Sequence, residues 1–526
     1  MTKGREESDD RIKPEGPRKW VQTEPEKGRG GKAVTARKEA MQLELPFETA
    51  DSPKGADGVR ELGGPRPRTR AVPKSKGTTR ETMPAMTMEE VAREERLMEA
   101  FRKVAKNDGA PGPNRQTIEE VEKHLDKIVP ELSRELLEGK YRPGNIRRVW
   151  IPKSGGGQRG LGIPDVIDRL VQQAVHEVLS PNYEPTFHES SHGFRPGRSC
   201  HTAIAEAKKH LEAGNEWVVD LDLEKFFDRV HHDRLIARLE KRVKDRRLIE
   251  LIRRMLKAKV VMPDGVVVAT EEGTPQGGPL SPLLSNIVLD ELDWELARRG
   301  HRFVRYADDA NIYVSSRRAG ERVMASVTRF IEGKLKLKVN LAKSAVGKPE
   351  ERHFVGFRLM RDALTGDVEV DISARSRDRI NEKIREATRR NRGESLERIL
   401  ERLNAYLVGW IGFFWIILGP AAERTLNNLD AHIRRRLRAL ILKQWKRQRS
   451  IARKLIKLGI REKTAWKTVY EGRRSLWDLS HRPAVERALA KAYFTQRGLT
   501  VLHDWWRAKW DRVIVPVQLE LGLDLG

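Results

Sequence analysis

The sequence predicts an α+β fold, on three patterns. Two stretches alternate apolar residues with period two and end in carboxylates: Val218-Val219-Asp220-Leu221-Asp222, and the paired runs within Phe303-Val304-Arg305-Tyr306-Ala307-Asp308-Asp309-Ala310-Asn311-Ile312-Tyr313-Val314. Helical periodicity fills longer segments around them, notably Asp165 to Leu179 and Ser281 to Arg298. From about residue 375 the pattern becomes helical and basic.

The 526 residues suffice for several domains and a large core. The net charge of +26 and a pI near 10.1 point to a polyanionic partner, nucleic acid before a membrane surface. A lone cysteine, Cys200, excludes an internal disulfide and a Cys-rich zinc site and fits a reducing cytoplasm. The N-terminus lacks the apolar segment of a signal peptide. The most apolar run, Ala405 to Leu418, is too short to cross a bilayer, and Gly409 and Gly412 interrupt it. A buried helix is expected there, and no membrane partner.

Residues 1 to about 80 are rich in Gly, Pro, Lys, Arg and Glu and poor in large apolar residues, so a disordered tail is expected. One apolar island interrupts it, Gln42-Leu43-Glu44-Leu45-Pro46-Phe47. Thr87 to Lys106 reads as a helix capped by Thr87, with Glu89 and Glu90 in its first turn. Asn107 to Pro113 is a turn-rich loop. Val149 to Ile151 reads as a strand, followed by a Gly-rich hairpin with Lys153 and Arg159. Those two cations could converge on a triphosphate, though an ordinary basic hairpin is the plainer reading. In the next helix Val166, Leu170, Ala174 and Val178 face inward. Gly193 to Ser199, with Arg195 and Arg198, is basic and broken by Gly and Pro, consistent with a template-backbone contact.

The carboxylates carry the chemistry. Val304 and Tyr306 lie on one side of the 303–314 hairpin and Ile312 and Val314 on the other, with Asp308 and Asp309 at its tip. Taken alone, that pair is equally a solvated acidic turn, although a bland turn more often uses Asn-Gly or Asp-Gly. With Asp222 the pair would close a three-carboxylate cage, the type that holds two divalent cations in phosphoryl transfer. Phe226 and Phe227, if on a strand, face opposite sides. His231 and His232 lack a metal-site spacing and read as structural. Thr274 to Gly278 is a turn before a helix, where Gly277 and Gly278 permit close backbone approach.

Beyond the sheet-forming region, Arg379 to Gly419 places Leu403, Leu407, Trp410 and Phe414 at core spacing. No Asp or Glu occurs from Ala431 to Arg461. There Ile433, Leu437, Leu440, Ile441 and Trp445 mark an inward stripe, leaving Arg434, Arg435, Arg436, Arg438, Lys443, Lys446 and Arg447 on the other sides. Solvated faces usually mix signs, so an all-positive face argues for phosphate.

These motifs resemble the reverse transcriptases, whose palm carries one Asp in a D-x-x-x-x-[FY] strand and two in a Y-x-D-D hairpin. The order of Arg147-Arg148-Val149-Trp150-Ile151-Pro152-Lys153, Gly193-Phe194-Arg195-Pro196-Gly197-Arg198-Ser199, Thr274-Pro275-Gln276-Gly277-Gly278-Pro279-Leu280-Ser281-Pro282 and Phe354-Val355-Gly356-Phe357 is similar to that of bacterial group II intron reverse transcriptase–maturases. So are Ile433 to Arg438, Trp445-Lys446 and Leu476 to Ser480. The resemblance runs from about Met88 to about Trp506. It implies a right-hand polymerase: N-terminal extension and fingers over 81–200, palm over 201–370, thumb over 371–430 and a helical maturase region over 431–526.

Several residue roles come only from this resemblance. Asp222, Asp308, Asp309 and the Leu223 carbonyl would hold two Mg²⁺. Lys153, Arg159, Gln276 and Lys343 would meet the nucleoside triphosphate, Lys343 near the departing pyrophosphate. Phe227 would pack under the sugar and exclude a 2′-hydroxyl. The 107–113 loop would help hold template RNA, although Pro113-Asn114-Arg115 stands where the family has Val-Asp-Gly. Implied partners are the intron RNA, target DNA and deoxynucleoside triphosphates, in the cytoplasm of a bacterium at its nucleoid. The tail shows no Cys pairs and no His-rich nuclease pattern, so the family's DNA endonuclease domain is expected to be absent. Gln42, Leu45 and Phe47 are spaced like the peptides that dock on the bacterial sliding clamp. Two other readings stay open: a domesticated reverse transcriptase in defence or DNA repair, and an RNA-binding splicing factor without polymerase activity, which the three acidic residues disfavour.

Overall fold

The computed structural model describes residues 83–152, 157–362, 364–391, 393–471 and 475–520. The expected tail, with Gln42, Leu45 and Phe47, and Lys153 lie outside them.

Thr87 caps the first helix as expected, its hydroxyl accepting the Glu90 N–H. The single helix expected from 87 to 106 is instead two, α1 (Met88–Ala92) and α2 (Glu94–Lys106), because Arg93 leaves the helical region at φ −57°, ψ 129°. Arg96 Nε takes up the Glu90 carbonyl beside the break at 2.8 Å. Next come the fingers strands β1 (Ile146–Pro152) and β2 (Gln158–Ile163), joined antiparallel. Helix α3 (Val166–Tyr183) buries Val166, Leu170, Ala174 and Val178 completely, and it runs one turn past the expected Leu179. The turn-rich loop is pinned to its start. Asp165 accepts the Asn114 N–H at 3.1 Å, and Arg147 and Arg169 donate to the carbonyls of Pro111 and Ala110.

Helix α4 (Cys200–Glu212) leads into the palm strand β3 (Trp217–Asp222). The short strands β4 (Val260–Val261) and β5 (Val267–Val268) complete the fingers sheet, in the order β2-β1-β4-β5. Helix α5 spans Ser281–Arg298, the bounds expected from periodicity. Strands β6 (Arg302–Tyr306) and β7 (Asp309–Val314) form the hairpin, and with β8 (Ala345–Gly347) they make an antiparallel palm sheet of order β6-β7-β3-β8. A separate hairpin, β9 (Phe357–Arg361) with β10 (Val368–Ile372), connects to the helical third of the chain.

The palm sheet has two covered faces. Val219, Leu221, Phe303, Ala310, Ile312 and Val314 enter a core shared with α3 and α5. Val218, Val304 and Tyr313 enter a second core shared with β9, β10 and the C-terminal helices. This parity is what the alternating sequence requires of a strand buried on both sides.

The C-terminal third is helical, as expected. Two helices cover most of residues 379–419: α6 (Ala374–Ala387) ends before Gly393, and α7 (Leu396–Phe414) starts from the Ser395 cap. Leu403, Leu407, Trp410 and Phe414 are all buried. Helix α8 (Pro420–Gln444) buries Ile433, Leu437, Leu440 and Ile441, but also Ala439 and Leu442, so its middle is enclosed nearly all round. The last helix, α9 (Leu502–Glu520), starts on a side chain of α8. Asp430 accepts the N–H groups of Leu502 at 2.9 Å and His503 at 3.0 Å. Trp506 Nε1 donates to the Ile417 carbonyl at 3.1 Å, tying α9 to the end of α7. No described helix is long and apolar enough to cross a membrane.

Asp430→Ala leaves the first amides of α9 without a capping acceptor. The expected cost is about 1 kcal/mol of stability, read as a lower melting temperature together with faster proteolysis near residue 500.

Candidate active site

Register places the carboxylates. Asp222 at the end of β3 lies opposite Asp309 at the start of β7, and Asp309 lies opposite Tyr306 at the end of β6. Partners opposite one another project to the same face. Asp222 and Asp309 therefore share a face at one end of the sheet, with Asp220 two residues back along β3. Ala307 turns the hairpin at φ +57°, an uncommon conformation for a residue with a side chain, and Asp308 follows it.

The electrostatics are those of crowded acid. Burial lifts the Asp309 carboxyl well above its ordinary range, and the charges of Asp220, Asp308 and Asp222 add to the rise. Burial also raises Asp308, while Arg159 and Arg305 pull it back. Asp220, which the sequence reading did not select, is pushed up to about 6, chiefly by burial. Among the described residues no three His, Cys, Asp or Glu side chains converge as a metal site. Asp222 meets Lys343 Nζ at 3.1 Å. The fit to a divalent cation is nevertheless good. Half-buried carboxylates whose neighbours are largely more carboxylates gain from a cation that neutralises them together. Lys343, 68% exposed, is the one cation paired with a member of the set among the described ion pairs.

Around this centre the fingers close in. Arg159 on β2 donates through Nε to Gln276 Oε1 at 2.8 Å, which joins two residues expected at the nucleotide. The Gln276 carbonyl accepts the Gly162 N–H at 2.7 Å. Gly277 sits at φ +123°, and a Cβ there would come within 2.5 Å of the Gly162 carbonyl. The close approach expected at Gly277 and Gly278 is thus made by the protein's own backbone and by Gln172 on α3, so these glycines lock the turn to the fingers.

Phe226 and Phe227 do not lie on a strand. Lys225 at φ +49° turns the chain into a short 3₁₀ helix, Phe226–Asp228, and both rings are buried, edge to face with centroids 5.3 Å apart. The Phe227 carbonyl accepts the Thr274 N–H at 2.6 Å, which ties this turn to the 274–278 turn. His232 is structural: its Nε2 meets the Gly273 carbonyl at 2.7 Å.

Several expected RNA contacts are corrected. Arg195 is buried; it stacks on Phe187 and donates to Glu184, to the His188 carbonyl at 2.5 Å and to the Ser191 carbonyl at 2.8 Å. Arg198 is half-buried and donates to the Glu189 carbonyl. Arg438 is buried, held by Glu486 at 2.7 Å and the Leu489 carbonyl at 3.0 Å. Arg436 donates to Thr388 at 3.0 Å, and Arg435 lies 4.1 Å over the Trp477 ring. Periodicity assigns one inward face to a helix, whereas C-terminal helices cover a second face of α8. Arg434 is half-exposed, and Lys443, Lys446 and Arg447 are exposed.

Residues 151–359 match the family model described as reverse transcriptase (RNA-dependent DNA polymerase), and residues 377–457 match the group II intron, maturase-specific domain. The chain belongs to the group II intron reverse transcriptase–maturase family. It carries an RNA-dependent DNA polymerase domain, in a family that generally uses divalent metal ions, and a maturase domain that implies binding of intron RNA. It is 35% identical to Protein YkfC of Escherichia coli K12 over 312 residues, 52% of this chain and 82% of that protein. It is 42% identical to the group II intron-encoded protein LtrA of Lactococcus lactis over 173 residues, 33% of this chain but only 28% of LtrA. A chain of a partial Cas6-RT-Cas1–Cas2 complex aligns over 47% of this chain and 42% of its own length, with 26% identity and a TM-score of 0.31.

Gly277→Ala should loosen the seam between the fingers and the 274–278 turn. We expect a lower melting temperature and at least a tenfold drop, to order of magnitude, in primer extension, since about 1 Å of misplacement can cost that much or more. Wild-type values for both would show that the seam tolerates a side chain.

Proposed function

We propose that this protein copies RNA into DNA at the Asp222–Asp309 end of the palm sheet and also binds its group II intron RNA, assisting the intron to splice and to reinsert into DNA. The observation that carries the reading is the β3–β7 register, which brings Asp222 beside Asp309 at the open end of the sheet. The match to the maturase-specific domain supports the RNA half. On this reading the chain divides into fingers, palm, thumb and maturase region near residues 201, 371 and 431, and it works at the bacterial nucleoid.

Asp222, Asp308, Asp309 and the Leu223 carbonyl would hold two Mg²⁺, which would stabilise charge on the attacking and leaving oxygens of an in-line displacement. Every other role falls to the chain. Arg159, beside Gln276, and Lys153 bind the triphosphate oxygens. Phe227, held from behind by Thr274, bounds the sugar position and excludes a 2′-hydroxyl. Lys343 releases Asp222 and swings toward the departing pyrophosphate, a movement its exposure allows. Structured RNA is met through phosphates and 2′-hydroxyls by Arg434, Lys443, Lys446 and Arg447. The peptide 41–48 docks on the sliding clamp, with target DNA presented there.

Asp308→Ala should abolish metal-dependent extension while leaving RNA affinity near wild type; full-rate extension would defeat the assignment. Changing Lys443, Lys446 and Arg447 together to Gln should weaken intron binding more than extension on a short template, each lost phosphate contact lowering the salt slope by about one. A synthetic 41–48 peptide should bind purified clamp at roughly micromolar strength, and replacing Leu45 and Phe47 with Ala should remove that binding.

A further inference from the structure

On the opposite side of the palm sheet from Asp222 and Asp309, one charged side chain is enclosed completely. Arg305 on β6 is 1% exposed, and its partner Asp293 on α5 is 0% exposed. The guanidinium forks onto the carboxylate, Nε to Oδ1 at 2.7 Å and Nη2 to Oδ2 at 2.5 Å. Its remaining donors are also used. Nη1 reaches Asn286 Oδ1 at 3.0 Å and the Ala307 carbonyl at 2.8 Å; Nη2 also reaches Ser191 Oγ at 2.6 Å.

The Ala307 carbonyl belongs to the residue that turns the hairpin at φ +57°, directly before Asp308. The same network grips that turn from outside. Asn286 Nδ2 donates to the Gly193 carbonyl at 2.9 Å, and Gly193 lies so close to the Ala307 nitrogen that a Cβ would collide with it. Residues 190–192 run beside β6 as an extra edge. Arg305 N–H donates to the Ser190 carbonyl at 2.9 Å, and His192 N–H donates to the Arg305 carbonyl at 2.8 Å. Arg195, expected to touch template, anchors this strap instead.

A buried ion pair adds little net stability compared with apolar packing of the same volume, because desolvation offsets most of its attraction. A planar fork with fixed donors does fix geometry, which an apolar core leaves softer. Here all five donor directions are committed, three to α5, one to the strap and one to the carbonyl that shapes the carboxylate turn.

We propose that Arg305 is a positioning residue of the polymerase: clamped by Asp293, it holds the Ala307 carbonyl and thereby keeps Asp308 and Asp309 aimed at the metal-binding face. The inference rests on the carboxylate assignment above, so the experiment separates the two. Full-length Arg305→Lys, which keeps the charge but loses the fork, is the main variant. Ser191→Ala removes one bond at Nη2 without touching the turn. Each is measured for melting temperature, for kcat and KM in primer extension, and for Mn²⁺ affinity without nucleotide, read from the free-ion electron paramagnetic resonance signal. For Arg305→Lys the expected result is a kcat lower by about tenfold to a hundredfold, a KM within about twofold, and Mn²⁺ affinity weakened by about tenfold in the folded protein. Ser191→Ala should shift kcat and Mn²⁺ affinity in the same direction by less.

A folded Arg305→Lys with wild-type kcat and Mn²⁺ affinity would overturn the proposal. So would losses that only track the unfolded fraction. Should Arg305→Lys not fold, wild-type values for Ser191→Ala would overturn it equally. Asp308→Ala in the same assays reports on the carboxylates themselves. If it binds Mn²⁺ and extends like wild type, the metal assignment fails; if it loses both while Arg305→Lys keeps both, only the role of Arg305 fails.

Discussion

A concentration of carboxylates at one end of the palm sheet is the constraint on which the rest of the structure depends. Asp309 is half-buried, and the charges that act most on it are carboxylates, so its pKa is raised and the charged form disfavoured. Such a cluster persists only if the backbone holds it in place, since the side chains would otherwise separate. The antiparallel register of β3 and β7 supplies part of that hold, and the buried clamp behind Ala307 supplies another part. A cation brought to the face would relieve the repulsion with the carboxylates still charged. This is why a polymerase centre can be stiff in its backbone and still unfinished in its side chains.

Stiffness there depends on surroundings that come from distant parts of the chain. The palm sheet is covered on both faces, by α3 and α5 on one side and by the β9–β10 hairpin and C-terminal helices on the other. The fingers attach through backbone contacts that only glycine permits, with Gly277 against Gly162. Arg159 reaches the centre across that seam, so its distance to Asp308 is set by the 274–278 turn as much as by its own strand. The Phe227 turn is bonded to the same segment through Thr274. Displacement of that turn would therefore move Arg159, Gln276 and Phe227 together.

Much of this was legible in the sequence where a local pattern and a tertiary requirement agree. Strand parity placed Val304 and Tyr306 opposite Ile312 and Val314, and the structure keeps that division. The bounds of α5 were readable because Pro282 sits in its first turn and Arg298 in its last. The break at Arg93 was not readable, since no Gly or Pro marks it and its compensation comes from Arg96. Nor was the turn at Phe226, where Lys225 takes a left-handed conformation that composition does not advertise. Asp220 was passed over although Asp220 and Asp222, two apart, must share a face. Arg305 carried a signal that was not used: it shares parity with Phe303, a core position, and a charged residue at a core position needs a buried partner.

The arginines show why net charge says less about location than about partners. A surplus of +26 argues for a polyanion whatever the fold does. Which cations face that polyanion is decided by packing. Arg195, Arg305 and Arg438 are spent as internal fasteners, because a planar group with five donors can satisfy several carbonyls and a carboxylate at once. Lysine, a flexible point charge, suits that task poorly. The exposed cations at the end of α8 and just beyond it, Lys443, Lys446 and Arg447, include both lysines of the predicted face. In an arginine-rich helix that packs on two sides, the fully exposed cations are those at and past the point where the packing ends.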